Sequence, residues 1–281
     1  MKSLRVAVIG ATGLVGSKVL SGMQERGFPA TEVVPVASEG GDRWVEIGGE
    51  TVAVREAAPG VLSDLDLVFN CAGREVAETY LPILAGTGTL CVDKSTAFRM
   101  HPDVPLVVPE VNGDQLRYHS GIIASPNCLT IQLVTAVAPL HRGLRLRRAV
   151  VSTYQSASGA GREALCALRG ELDGGINPLP HHLPGNVIPE IGRIDSAGHS
   201  GEESKIAAEA ARIFGDDSPA VTVTAVRVPV EVGHCAAVYC EAEEPVSREE
   251  IVQLLAPAPG LEAEGDVHEY CTSRDVAGKD G

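Results

Sequence analysis

The chain has 281 residues, 44% of them hydrophobic but only 4% aromatic, and a formal net charge of −14. So acidic a protein repels nucleic-acid phosphates and anionic lipid, which removes both as partners, and no apolar run reaches the roughly 18 residues of a membrane span. The N-terminus enters a strand pattern at once instead of a signal peptide, so a cytoplasmic protein long enough for two domains is expected.

Leu4 to Ile9 is a compact apolar run, Gly10 to Gly16 a glycine-rich turn, and Ser17 to Gln24 a helical pattern ended by Gly27. Strands are predicted over Glu32 to Ala37 and Leu65 to Asn70, then a helix over Glu75 to Ala85 and a strand over Thr89 to Asp93. Alternating strands and helices imply a parallel sheet with right-handed crossovers. Farther on, Arg147 to Thr153, Ala220 to Pro229 and Cys235 to Glu241 are longer β-rich runs, with a Gly-, Pro- and His-rich connection between Gly174 and Gly201. The predicted fold class is α/β: a Rossmann-like parallel-sheet domain over residues 1–126, then a mixed-sheet α+β catalytic domain over residues 127–281. The boundary falls at Ser125-Pro126-Asn127, a strand exit followed by a helix N-cap.

Gly10-Ala11-Thr12-Gly13-Leu14-Val15-Gly16 follows the first strand and opens a helix. In that context spaced glycines let a pyrophosphate approach backbone N–H groups at the positive helix end. Ser125-Pro126-Asn127-Cys128-Leu129-Thr130 places a cysteine in the first turn of a helix that Asn127 can cap, where unpaired N–H groups and the macrodipole favour a thiolate. By position alone Cys128 reads equally as a nucleophile or as a buried filler. Val226-Arg227-Val228-Pro229-Val230-Glu231-Val232-Gly233-His234 offers an arginine fork for a carboxylate and a histidine for proton traffic; taken singly, His234 reads as structural. Glu202 and Lys205 share a helix face at i, i+3, a spacing that a solvated ion pair also satisfies.

The seven cysteines show no paired CxxC spacing, and most read as buried, reduced fillers. The eight histidines form no HExxH pattern, and adjacent His181 and His182 fall in a Pro-rich loop where solvation is expected, so no metal site is predicted.

Taken in order, GATGLVG, KSTAFRM, PNCLT, YQSASGAG, NVIPEIG, GEESK and RVPVEVGH resemble the aspartate-semialdehyde dehydrogenase family over almost the whole chain. The resemblance implies reductive dephosphorylation of β-aspartyl phosphate, a small acidic acyl phosphate, with NADP or NAD, by a homodimer. It casts Cys128 as the nucleophile that forms a thioester and His234 as the acid/base, with Gln155 orienting the acyl group beside the cysteine. Arg227 then forks the substrate carboxylate, Glu202 meets its amine, and Arg99 with Lys205 cradles the phosphate. Gly10, Thr12, Gly13 and Gly16, with Ser38, Glu39 and Gly73 on the following loops, become the cofactor-binding set.

This sequence departs from the family mainly on the cofactor side. Where the family carries Ser-x-Arg-Ser-Ala-Gly to hold the 2′-phosphate of NADP, the chain reads Ser38-Glu39-Gly40-Gly41-Asp42, whose carboxylates repel a phosphate and whose Glu39 suits a ribose 2′-OH, favouring NAD. Ala72-Gly73-Arg74-Glu75 replaces Ala-Gly-Gly-x-Ser beside the nicotinamide, with the Arg74 side chain filling space left open by glycine, and Lys94 replaces an asparagine. The chain stops at Gly281 where the family continues, so an apolar surface of the first domain is expected to lack cover and to suit a partner or dimer contact. Three readings therefore stand. The first is a working dehydrogenase. The second is a non-redox acyltransferase that passes the Cys128-bound acyl group to an amine or other nucleophile without a nicotinamide. The third is a catalytically silent member, which the joint presence of Cys128, Gln155, Arg227 and His234 weakens.

Overall fold

The apolar runs near the N-terminus are rich in β-branched residues and lack polar alternation, the pattern of strands covered on both faces. In the computed structural model, described for residues 4–38, 41–172, 177–263 and 270–279, they form a parallel sheet. In chain order the elements are β1 (Leu4–Ile9), α1 (Leu14–Glu25), β2 (Ala30–Ala37), β3 (Trp44–Ile47), β4 (Glu50–Ala53), β5 (Arg55–Glu56), β6 (Leu67–Asn70), α2 (Arg74–Gly86), β7 (Leu90–Asp93), α3 (Pro109–Asn112) and β8 (Ile122–Ala124). There follow α4 (Cys128–Leu144), β9 (Leu146–Gln155), α5 (Arg162–Arg169), α6 (Gly201–Phe214), β10 (Ala220–Arg227), β11 (Cys235–Ala242), α7 (Arg248–Leu255) and α8 (Ser273–Val276). The chain divides into one unit of Met1–Val107 with Asp114–Pro126 and a second of Val108–Gly113 with Asn127–Gly281. Val108–Gly113, read in the sequence with the first domain, thus groups with the second, where α3 packs against α4 and the Arg142 guanidinium donates to the Val111 carbonyl at 2.5 Å.

In the first unit the strand order is β5-β2-β1-β6-β7-β8, with β1, β2, β6, β7 and β8 all parallel. Val6, Ala7, Val8 and Ile9 are essentially inaccessible. Chain order reverses direction across the sheet at β1 and β6, the place where α/β folds bind ligands beyond the strand ends. Asn70 pairs in register with both Ile9 and Asp93, so the Gly10–Gly16 loop, the Ala72-Gly73 turn and the Lys94–Arg99 stretch leave the same edge of the sheet. The sequence pattern missed the β3–β4 hairpin, whose Val45 and Ile47 pack under α1 beside Val19 and Met23. Four-residue strands with exposed alternate positions give too short a period to stand out.

In the second unit β9 is central, parallel to β10 and antiparallel to β11. Its alternating burial turns Ala149, Val151, Thr153 and Gln155 toward α4 and α6, with Leu129, Leu133, Val137 and Ile206 completing the core. The opposite face is open: Val150, Tyr154 and Tyr239 are 40%, 44% and 65% exposed, and Tyr239 pairs directly with Val150. Register then decides which residues meet. Gln155 pairs with Arg227 at the ends of the parallel strands, and Cys235 pairs with Tyr154 where β11 begins, so Gln155, Ser156, Arg227 and His234 collect at one sheet edge.

Candidate active site

Asn127 adopts an extended conformation and its side-chain oxygen accepts from the Leu129 N–H at 2.8 Å, the N-cap bond that starts α4. Two of its donors meet buried carboxylates of α6. Glu202 Oε1 accepts from the Asn127 amide at 2.9 Å, and Glu209 Oε2 from the Asn127 backbone N–H at 2.6 Å. Glu202 and Glu209 are 8% and 2% exposed, on the helix face that also buries Ile206, Ala210 and Ile213. Asn127 is therefore held at three points, which fixes the exit vector of the next residue, Cys128. That thiol is exposed at the first turn of the helix, with Sγ 3.3 Å from His234 Nε2.

His234 is positioned from its far side by Ser156, which follows β9. The Ser156 N–H donates to Nδ1 at 3.0 Å and the Ser156 hydroxyl lies 3.0 Å from the same nitrogen. The Ser156 carbonyl accepts from Arg227 Nη1 at 2.6 Å, so a single residue grips both the imidazole and the guanidinium. Burial, and secondarily the Arg227 charge, press the His234 pKa down to about 4, which keeps the ring neutral at physiological pH. Burial also lowers the Arg227 pKa, opposed by Glu202. Arg227 Nε is buried and finds no partner among the described residues, so this guanidinium keeps a donor for a ligand. Gly159 closes the pocket wall: a Cβ there would stand 3.0 Å from His234 Cε1 and 3.1 Å from Arg227 Nη1.

Gln155 ends β9 fully buried, its amide donating to Thr153 Oγ1 at 3.4 Å. Cys128, His234, Asn127, Glu202 and Arg227 are thus linked through shared contacts, while Gln155 joins them by strand register. Lys205 is exposed on α6, and Glu202 bonds to Asn127 in place of the simple solvated ion pair that its spacing allowed. Among the cysteines only Cys91 is buried; Cys71, Cys166, Cys235 and Cys240 are half-buried and Cys271 is exposed, which corrects the expectation of mostly buried fillers, although all are free thiols. Cys71 follows β6 and Cys235 opens β11, while Cys166 lies within α5 and Cys240 within β11, placements that hydrophobicity alone does not distinguish. His181 and His182 are exposed. Among the described residues no three His, Cys, Asp or Glu side chains group as metal ligands, and no helix is long and apolar enough to cross a membrane.

The first unit carries its own set of candidates. Gly10 has φ +82°, and a Cβ on it would lie 2.9 Å from the Cys71 and Ala72 backbone; at Gly16 a Cβ would lie 2.1 Å from the Gly10 carbonyl oxygen. Only glycine permits this approach of loop, helix and neighbouring strand. Gly13 is the N-cap of α1 and supplies no side-chain acceptor, and Thr12 beside it is half-buried, so the loop suits a pyrophosphate at the helix N-terminus. Gly73 likewise caps α2, with open space around its Cα. Ser38 is exposed just past β2; Glu39 lies outside the described residues. Arg74 reaches Thr96 O at 3.4 Å and Glu78 at 3.6 Å, and Arg99, 8% exposed, donates to the Lys94 carbonyl at 2.8 Å. Lys94 in turn donates to Ser125 Oγ at 3.2 Å, and the intervening Asp93 is saturated by Asn70 and Ser95.

Sequence reasoning held Ser156 and Gly159 only as part of the YQSASGAG stretch, with no role given to either, and passed over Glu209. Glu209 alone left a signal, a carboxylate seven residues after Glu202 on the apolar face of a helix.

Residues 5–119 match the semialdehyde dehydrogenase NAD binding domain and residues 137–281 the semialdehyde dehydrogenase dimerisation domain. The chain is 38% identical over 289 residues to the aspartate-semialdehyde dehydrogenase of Prochlorococcus marinus, covering 99% of this chain and 84% of that one, and 34% identical to that of Bacillus subtilis, covering 99% and 86%. The crystal structure of aspartate semialdehyde dehydrogenase II from Vibrio cholerae superposes with a TM-score of 0.92 at 36% identity, covering 99% of this chain and 86% of that one; the same enzyme complexed with ASA gives 0.93 at 35%, covering 100% and 86%. With both family domains matched across most of its length, this chain is an enzyme of the aspartate-semialdehyde dehydrogenase family.

Proposed function

We propose that the protein reduces β-aspartyl phosphate, or a close acidic acyl phosphate, to the semialdehyde through a thioester on Cys128. The observation that carries this is the exposed Cys128 thiol at a capped helix N-terminus, 3.3 Å from a half-buried, neutral His234. Attack by sulfur on the acyl carbon expels phosphate, and N–H groups at the start of α4 suit the oxyanion of the tetrahedral intermediate. Arg227 binds the substrate carboxylate with the donors Ser156 leaves free. Glu202, whose Oε1 is taken by Asn127, offers its other oxygen to the substrate amine. Gln155 orients the acyl group, and Arg99 and Lys205 bind the phosphate. Gly10, Thr12, Gly13, Gly16 and Gly73 hold the nicotinamide nucleotide, which when bound supplies the hydride that reduces the thioester. The missing arginine after Ser38 favours NAD over NADP. The aspartate-semialdehyde dehydrogenases that this chain resembles lend no support to the non-redox acyltransferase alternative. The working form is a homodimer joined through the open face of the β9–β10–β11 sheet.

The test is intact mass after brief exposure to β-aspartyl phosphate, followed by NADH or NADPH with nicotinamide absorbance monitored. A Cys128 adduct, absent in Cys128→Ser and discharged as nucleotide is oxidised, is expected. An adduct that survives both nucleotides, or turnover by Cys128→Ser, overturns the proposal.

A further inference from the structure

The end of the second unit opposite the cysteine carries a cavity of its own. Its volume is about 540 Å³, and it opens where α4 and α6 finish, beside the first residue of β9 and the residue that follows β11. Along α4, Arg142 in its wall stands about 20 Å from Cys128, and along β9, Leu146 stands about 30 Å from Gln155. The cavity is therefore separate from the cysteine site.

Its floor is apolar, formed by Leu146 and Ile213, 5% and 6% exposed, with Phe214 beside them. The wall is already fixed. His141 Nδ1 accepts from the Leu146 N–H at 3.1 Å while its ring meets Phe214 edge to face at 5.5 Å, and Arg142 is pinned by its bond to the Val111 carbonyl. The rim adds three charged side chains, Arg145, Asp217 and Glu243.

Two observations set this rim apart. Arg145 is the C-cap of α4 with φ +51°, a left-handed backbone that glycine occupies at lower cost. A residue held in a strained conformation marks a place where its side chain is wanted. Beside it, the Glu243 N–H donates to the Arg145 carbonyl at 3.2 Å, so a base and an acid leave adjacent backbone. Yet among the described residues the side chains of Arg145, Asp217 and Glu243 have no ion-pair or hydrogen-bond partner. Opposite charges that line one cavity without neutralising each other leave both signs to a ligand.

We propose that this cavity binds an α-amino acid with an apolar side chain. Arg145 and Arg142 take its carboxylate, Asp217 and Glu243 its ammonium group, and Phe214, Ile213 and Leu146 its side chain. A simple anion would meet the two carboxylates and a simple cation the two guanidinium groups, whereas a zwitterion satisfies both sides. Because His141 and Arg142 are held before any ligand arrives, little ordering of the wall opposes binding.

Isothermal titration of the full chain with L-valine, L-leucine and L-phenylalanine tests this. Saturable binding of at least one, with a Kd below about 5 mM, is expected. The deaminated and the decarboxylated analogues of the tightest binder (4-methylpentanoate and 3-methylbutylamine for leucine) should each bind at least about tenfold more weakly. Arg145→Gly suits the left-handed backbone and so keeps the fold; it and Glu243→Gln should each weaken binding about tenfold. Arg227→Lys, which alters the fork beside Cys128, should leave binding unchanged. Failure of all three amino acids to saturate by about 20 mM overturns the proposal, as does equal affinity for either single-charge analogue. Binding that survives both rim variants, or that is lost in Arg227→Lys and so belongs to the cysteine site, overturns it too. None of these readouts uses an acyl phosphate, so the result stands apart from the function proposed above.

Discussion

Replacing Glu209 with alanine probes whether a carboxylate that never meets substrate governs the nucleophile. Glu209 Oε2 takes the Asn127 N–H at 2.6 Å at a site only 2% exposed. Without it that N–H is buried without its acceptor, which costs about 1–3 kcal/mol, and the vacated volume adds to this. A loss of about 2–3 kcal/mol lowers the unfolding midpoint of a protein of this size by about 4–12 °C. Asn127 precedes Cys128, so release of its backbone also swings Sγ away from His234, and a displacement of about 1 Å can cost about a hundredfold in rate. Glu209→Gln keeps an acceptor oxygen and loses only the charge assistance, about 1 kcal/mol. Thermal unfolding with turnover on the same samples checks this: Glu209→Ala should fall in both, with kcat down about 10- to 100-fold, and Glu209→Gln should stay within about threefold in kcat. A Glu209→Ala enzyme with parental melting and parental kcat would refute the clamp.

Gly159→Ala should lower kcat/KM about 10- to 100-fold while leaving the fold intact by circular dichroism, because its methyl would displace His234 and Arg227 together. If the homodimer forms through the open sheet face, Tyr239→Asp places a charge twice across the contact, so light scattering should show a dimer for the parent and a monomer for the variant; an undisturbed dimer removes the open sheet face as the interface. Acid should also destabilise the fold through His234. The unfolded imidazole takes its proton near pH 6.5 and the folded one only near 4, so the unfolded chain binds more protons between these values. The stability contributed by the neutral ring is full above pH 6.5 and is lost as pH falls toward 4, by at most about 1.4 kcal/mol per pH unit. Urea titrations at pH 7 and pH 5 should show the parent losing more than His234→Gln.

The nucleotide loop and the capped cysteine were legible in the sequence because each is a local device. Gly10, Gly16 and Asn127 act through atoms a few residues away, and the surrounding strand and helix periods place them. From residue type alone Arg227 and His234 were legible as chemistry, and only the family resemblance put them in one site. What brings them together is the register of β9 against β10 and β11, fixed by side chains all along the strands. The grouping of Val108–Gly113 with the second unit escaped for the same reason, being decided by packing against partners distant in sequence, whereas the β3–β4 hairpin escaped because its four-residue strands are too short to show a period.

Ser156 and Glu209 show a further limit. Ser156 acts through its backbone, donating to His234 across 78 residues and accepting from Arg227 across 71, so no side-chain alphabet announces it. Glu209 is visible only as a conflict, an acid on a helix face otherwise occupied by Ile206, Ala210 and Ile213. Local rules disfavour a carboxylate there by the cost of desolvation, and a chain keeps such a residue where a buried donor requires it. Here the donor is the N–H of the residue before the nucleophile. The same logic separates Glu202 from a surface acid of identical spacing: its burial against the Asn127 amide, and not the i, i+3 lysine, explains why a carboxylate stands at the first turn of α6.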